Sequence, residues 1–137
     1  MVQLIVGNEG KGKTTKLLEK VNAEVKEARG NFVYLDKNQK HMYELNNKVR
    51  LVDVSDFDFS STDEFYGFVC GIISQDHDLE KIFFDNFLRI ASVLDLREAL
   101  DKFQKLSDKF KIDFVISVAK DESNIPADFK SNVIIAL

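Results

Sequence analysis

Apolar and polar positions along this chain switch between two rhythms. Largely apolar, β-rich runs recur at Val2 to Val6, Phe32 to Leu35, Val49 to Val54, Ile82 to Phe84, Ile112 to Val118 and within Asn132 to Leu137. The continuous run Phe32 to Leu35, ahead of Asp36, is of the kind expected for a strand covered on both faces. Between them the spacing turns helical: Leu17, Leu18, Val21, Val25 and Ala28; then Phe65, Phe68, Val69, Ile72 and Ile73; then Leu96, Ala99, Leu100, Phe103, Leu106 and Phe110. Strands that alternate with amphipathic helices imply right-handed crossovers. The pattern therefore predicts a three-layer α/β fold with a mostly parallel, doubly wound sheet flanked by helices.

Local signals set the boundaries. Gly30 follows Arg29 as a stop for the first helix, and Ser61 with Glu64 three residues on has the form of a capping box for the second. A short helix is expected around His41 to Leu45, and a polar loop over residues 119 to 131, which holds the one proline, Pro126. The turn Asp76-His77-Asp78 reads as solvated, because three adjacent polar residues do not all point at one ion. Both histidines, His41 and His77, lie among polar neighbours and read as surface residues.

Composition narrows the picture. With 137 residues the chain has the size of one domain, residues 1 to 137, and 45% hydrophobic residues including twelve Phe suffice for a packed core. A net charge of −4 gives no basic stripe for nucleic acid. The single cysteine, Cys70, is embedded in Phe68-Val69-Cys70-Gly71-Ile72-Ile73 and reads as a buried thiol. Met1 runs straight into an apolar strand with no charged leader, and no stretch approaches the roughly 18 apolar residues of a membrane span. A cytoplasmic location is expected, with neither membrane nor nucleic acid as partner.

The chemistry concentrates where the first strand ends, in Gly7-Asn8-Glu9-Gly10-Lys11-Gly12-Lys13-Thr14-Thr15. This matches G-x-x-x-x-G-K-[ST] at every fixed position, with a strand before it and an amphipathic helix after it. Glycines let backbone N–H groups converge on an anion, Lys13 reaches outer phosphates, and the Thr14 hydroxyl suits Mg²⁺. The following helix aims its positive end at the same charge. Lys11 either touches a phosphate or faces solvent. In mid-chain, Lys81-Ile82-Phe83-Phe84-Asp85 is a strand with a carboxylate at its carboxyl end, where ligands of open parallel sheets bind. Asp85 is placed to hold Mg²⁺ beside Thr14.

In these features the chain resembles the P-loop NTPases over nearly its whole length, and among them the RecA-like and KaiC-like ATPases. The resemblance rests on Glu9 and the double threonine in the glycine turn, on Val33-Tyr34-Leu35-Asp36, and on the order of elements up to Asp85. It implies ATP and Mg²⁺ as ligands, residues 7 to 15 as the phosphate cradle, and the Ile112 to Val118 strand lying between the first strand and the Asp85 strand. Departures bear on turnover. The glutamate usual after the second strand is replaced by Asp36-Lys37-Asn38-Gln39, and Asn86 follows Asp85. Water orientation then falls to Asn38, Gln39 or Glu9, since phosphoryl transfer depends chiefly on positioning. The polar residue usual after the next strand is replaced by Ala119-Lys120, and none of the four arginines stands out as a finger. The implied function is a Mg-dependent ATPase with weak or partner-dependent hydrolysis, the partner being another protein or a second copy of the chain. The alternative is an ATP-binding switch or assembly subunit that hardly hydrolyses. A small kinase is disfavoured because residues 119 to 137 hold no arginine, and a GTPase because Ala119-Lys120-Asp121-Glu122 misses N-K-x-D.

Overall fold

The computed structural model describes residues 1–137. Six strands, β1 (Val2–Val6), β2 (Asn31–Asp36), β3 (Val49–Asp53), β4 (Leu79–Phe84), β5 (Asp113–Val118) and β6 (Val133–Ala136), form one sheet in the order β3-β2-β4-β5-β1-β6. Every pairing is parallel. The β5 strand stands between β1 and β4, as the family resemblance implied.

Period-two alternation divides the buried residues of each strand between two layers. On one face Ile5, Phe32, Tyr34, Phe83 and Val115 pack against Leu17, Leu18, Val21 and Val25 of α1 (Lys13–Val25). On the other, Val33, Leu35, Ile82, Phe84, Phe114 and Ile116 meet α2 (Thr62–Ser74) and α4 (Leu96–Phe110). Phenylalanine holds this second layer together. Phe103 lies with its ring centroid 5.3 Å from Phe84, 5.5 Å from Phe87 and 5.5 Å from Phe114, all edge-on, the arrangement ring quadrupoles prefer.

Several local expectations are revised. The Ser61 hydroxyl does accept from the Glu64 N–H, but the Glu64 carboxylate turns to the N–H and hydroxyl of Ser60, so the box is closed one residue early. α1 ends at Val25, five residues before Gly30. Gly30 is required for another reason: a Cβ there would stand 2.0 Å from the Asp78 carbonyl oxygen, and its N–H donates to Glu80. Residues 41 to 45 make only a 3-10 turn at Met42–Glu44 with no buried side chain, and Phe110 closes the α4 stripe 47% exposed. Cys70 is half-buried, because the helix turns Phe65, Val69 and Ile73 to the core instead. The polar loop contains 3-10 turns at Glu122–Asn124 and Ala127–Asn132. A one-turn helix, α3 (Phe87–Ile90), went unforeseen because it is too short for any periodicity.

Register levels the carboxyl ends of the strands. Leu35 pairs with Phe84 and Phe84 with Ile116, so Asp36, Asp85 and Ser117 emerge in one row from β2, β4 and β5. Val6 pairs with Val118, so the glycine turn starts at Gly7, level with Ala119 and two residues beyond that row. No helix is long and apolar enough to cross a membrane. Because Phe103 is fully buried among the rings of Phe65, Tyr66, Phe84, Phe87 and Phe114, Phe103→Ala should cost about 3–5 kcal/mol of unfolding free energy, read as a lowered midpoint in urea denaturation.

Candidate functional site

A polar cavity of about 320 Å³ opens at the carboxyl ends of the strands. Its walls come from four connections: Glu9, Gly10, Gly12, Lys13, Thr14 and Thr15 after β1; Asp36, Lys37, Asn38, Lys40 and His41 after β2; Asp85, Asn86 and Arg89 after β4; and Ser117 with Ala119 from β5. This is the crevice where a chain that leaves β1 for β2 must skip the two strands later inserted between them, the position open α/β sheets use for ligands.

The glycine turn is shaped by positive φ. Gly10 (81°) and Gly12 (92°) take conformations that L side chains rarely adopt, and Gly12 serves as the N-cap of α1 without any side-chain capping bond. No acidic residue of α1 itself occupies its first turn, so no side chain of the helix caps its free N–H groups or offsets its positive end. Gly7 is buried, its N–H donating to the Lys120 carbonyl at 2.8 Å; Asn8 lends its carbonyl to the turn; Lys11 is exposed and points outside the cavity lining.

Lys13 is 9% exposed, and its Nζ donates to the Asn8 carbonyl at 2.9 Å. Burial lowers its pKa below the ordinary lysine value, against the opposing pull of Glu9 and Asp85. A desolvated ammonium with two donors unused is a strong anion contact. Glu9 sits exposed at the rim.

Asp85 is the most heavily partnered side chain of the site. Its Oδ1 accepts from the Thr14 hydroxyl at 3.1 Å and from the Ser117 hydroxyl at 3.4 Å, and its Oδ2 from the Tyr34 hydroxyl at 2.8 Å. Tyr34 is fully buried, and desolvation together with the Asp85 charge pushes its pKa far up, so it stays a neutral donor. Ser117 also accepts from the Asn86 N–H at 2.7 Å, locking the turn that follows Asp85. Thr14 spends its proton on Asp85 and keeps its lone pairs for a cation.

Asp36 is different. It is 5% exposed; Oδ1 accepts from the Lys37 N–H at 2.7 Å, while Oδ2 is buried with no hydrogen-bond partner. Burial first, and the neighbouring Asp85 charge second, raise its pKa above the ordinary aspartate value. An orphaned carboxylate oxygen at a cavity wall is a base lacking its proton donor. Asn38 reaches the cavity too, but its Oδ1 is committed to the Lys40 N–H at 2.9 Å, and Gln39 is exposed away from the lining. His41, expected at the surface, is half-buried in the lining and bonded to Glu44 at 2.7 Å; His77 is exposed.

Sequence reasoning thus brought together Lys13, Thr14, Glu9, Asn38 and Asp85. It missed Tyr34, Ser117 and Arg89, and gave Asp36 no role. Two of these carried a readable signal, a hydroxyl inside an otherwise apolar buried strand, which must find a partner. Tyr34 and Ser117 both find Asp85.

The oxygens of Thr14 and Asp85 are hard donors that suit Mg²⁺, which takes one or two protein ligands and completes its shell with water and phosphate. No group of three or more His, Cys, Asp or Glu could hold a metal by itself. The donor set therefore fits an ion that arrives with a phosphate ligand.

No family model and no curated protein matches the chain. Among solved structures it is similar to a KaiC-like protein of the hyperthermophilic archaeon Pyrococcus horikoshii OT3, with 18% identity, 87% of this chain covered and a TM-score of 0.57. The likeness covers 61% of that chain and shows a RecA-like α/β fold.

Because the folded-state pKa of Asp36 is raised, the unliganded protein loses stability as pH rises through that value and is favoured below it. Asp36→Asn should raise the melting temperature at neutral pH by a few degrees and flatten its decline as pH rises above the ordinary aspartate value of about 4, measured by calorimetry in the absence of nucleotide.

Proposed function

We propose that residues 1 to 137 form a single nucleotide-binding domain that takes ATP with Mg²⁺ and hydrolyses it slowly. The observation that carries this reading is the 3.1 Å contact between Thr14 and Asp85 inside a cavity that also holds the desolvated Lys13. Asp85 and the adjacent pair Lys13-Thr14, about seventy residues apart in sequence, converge where a helix terminus and a bare glycine turn call for an anion. The RecA-like fold of a KaiC-like protein supports nucleotide as that anion, and the missing N-K-x-D segment favours adenine.

In this reading the turn from Gly7 to Thr15 surrounds the β- and γ-phosphates, with Lys13 on their oxygens. Thr14 and Asp85, directly or through water, hold Mg²⁺, which would neutralise phosphate charge. Tyr34 and Ser117 keep the Asp85 carboxylate aimed. Asp36, with its free Oδ2, orients a water on the γ-phosphorus, assisted by the amide of Asn38 and, at the rim, by Glu9. The water oxygen bonds to the γ-phosphorus as the bond from that phosphorus to the β–γ bridging oxygen breaks. The bridging oxygen leaves on ADP with the electron pair, and the water proton passes to Asp36 or a phosphate oxygen. Asp36 replaces the glutamate usual in this class, one carbon shorter, which fits slow turnover.

A second reading, an ATP-binding switch or assembly subunit, is favoured by Met42 and Tyr43, 42% and 92% exposed in the connection that follows Asp36. Apolar side chains there would report a filled cavity to a protein partner or to a second copy of the chain.

Calorimetric titration with ATP separates these claims. Wild type should bind ATP more tightly with Mg²⁺ than without; Asp85→Ala should lose that enhancement, and Lys13→Ala should weaken binding by about 100-fold, the loss of a charge-assisted contact worth roughly 3 kcal/mol. Asp36→Asn should keep ATP affinity and lose phosphate release. Binding without any release in wild type would select the switch, and no binding at millimolar ATP would end both readings.

A further inference from the structure

The cavity has a cation that the glycine turn does not supply. Arg89, exposed on α3, lines it from a different connection than the turn that carries Lys13. The short helix is held rigidly: Asn86 enters it at φ 61° with its N–H on Ser117, Phe87 and Ile90 are buried in the aromatic layer, and the Phe87 ring centroid lies 5.8 Å from Phe84. With Phe87 and Ile90 inward, helical spacing turns Arg89 outward to the cavity. Its guanidinium takes part in none of the ion pairs or side-chain hydrogen bonds of the structure, whereas Arg97 is tied to Asp128 at 2.6 Å. An unpaired arginine in the same lining as Asp36, Asp85 and Lys13 is an open valence for an anion. Lys37 and Lys40 also line the cavity, but from an irregular connection rather than a packed helix, and an ammonium cannot offer the planar fork that matches two phosphate oxygens.

We propose that Arg89 contacts the transferring γ-phosphoryl group within its own chain, stabilising the charge that spreads over its oxygens, so that the site needs no arginine from a second copy. This rests on the ATP reading above. The bond changes are those of the hydrolysis already described. Arg89 donates N–H bonds to the non-bridging oxygens and exchanges no proton, since a guanidinium is not deprotonated in proteins. An arginine so placed contributes about 10³-fold or more to the rate of phosphoryl transfer.

Three measurements on the full chain test it, with Arg97→Ala as the surface control. First, binding of ADP with aluminium fluoride and Mg²⁺, a mimic of the planar phosphoryl group, should fall by about 100-fold in Arg89→Ala while ADP affinity and melting temperature stay at wild-type values. Second, Arg89→Lys should recover a minor part of the loss. Third, Arg89→Ala mixed with Lys13→Ala should show no restored phosphate release. Equal aluminium fluoride affinity in wild type and Arg89→Ala, or restored release on mixing, would overturn the proposal, the latter by showing that the arginine crosses between chains. Wild-type ATP binding is measured alongside. Its absence overturns both the nucleotide reading and this inference, whereas its presence with an indifferent Arg89 overturns the inference alone.

Discussion

The organisation of this molecule depends on how one carboxylate is held. Asp85 leaves the end of β4 buried, and a buried carboxylate is costly unless its oxygens are bonded. Thr14, Ser117 and Tyr34 supply those bonds from α1, β5 and β2. Satisfying Asp85 therefore joins four parts of the chain at one height, and the register of the parallel pairs makes it feasible, because Leu35, Phe84 and Ile116 lie level. The two core layers serve this arrangement by fixing the sheet from both faces. Of these, the aromatic layer around Phe84, Phe87 and Phe103 also anchors the turn immediately after Asp85.

A second carboxylate stands beside it in the opposite condition. Asp36 emerges from the neighbouring strand with one oxygen bonded and the other orphaned, and the Asp85 charge adds to the cost of its burial. Two carboxylates at adjacent strand ends, one saturated and one unsatisfied, give the cavity two distinct sorts of acidic oxygen. The saturated one suits a structural hold on a cation, and the unsatisfied one suits a proton donor such as water. In the same lining, Lys13, bonded only to the Asn8 carbonyl, the unpaired Arg89 and the start of α1 bring positive charge. The site is thus polarised across its width, with anions wanted on one wall and a cation or water on the other.

Much of the fold was legible because period and run length leave little choice. The apolar runs at Phe32 to Leu35 and Ile82 to Phe84 form central strands covered on both faces, those of β3 and β6 lie partly exposed at the sheet edges, and the α4 stripe from Leu96 to Leu106 allows one face inward. The glycine turn was legible because its spacing carries a mechanism. What escaped were features decided by contact rather than pattern. Gly30 looked like a helix stop, but it is fixed by the carbonyl of Asp78, distant in sequence. Cys70 looked buried from its neighbours, yet the rotation of α2 was set by Phe65 and Val69. Arg89 sits on four helical residues, below any periodic signal, and Tyr34 and Ser117 were hidden inside strands whose apolar character explained them well enough.

Under the proposed function a triphosphate with its metal fills the polar crevice lined by Lys13 and Asp36. A crystal structure with Mg²⁺ and a non-hydrolysable ATP analogue would decide this. The metal is expected about 2.1 Å from the Thr14 hydroxyl oxygen, with Asp85 beside it and a water bridging Asp36 to the γ-phosphate. An analogue bound elsewhere on the surface, or a metal engaged by neither Thr14 nor Asp85, would contradict it.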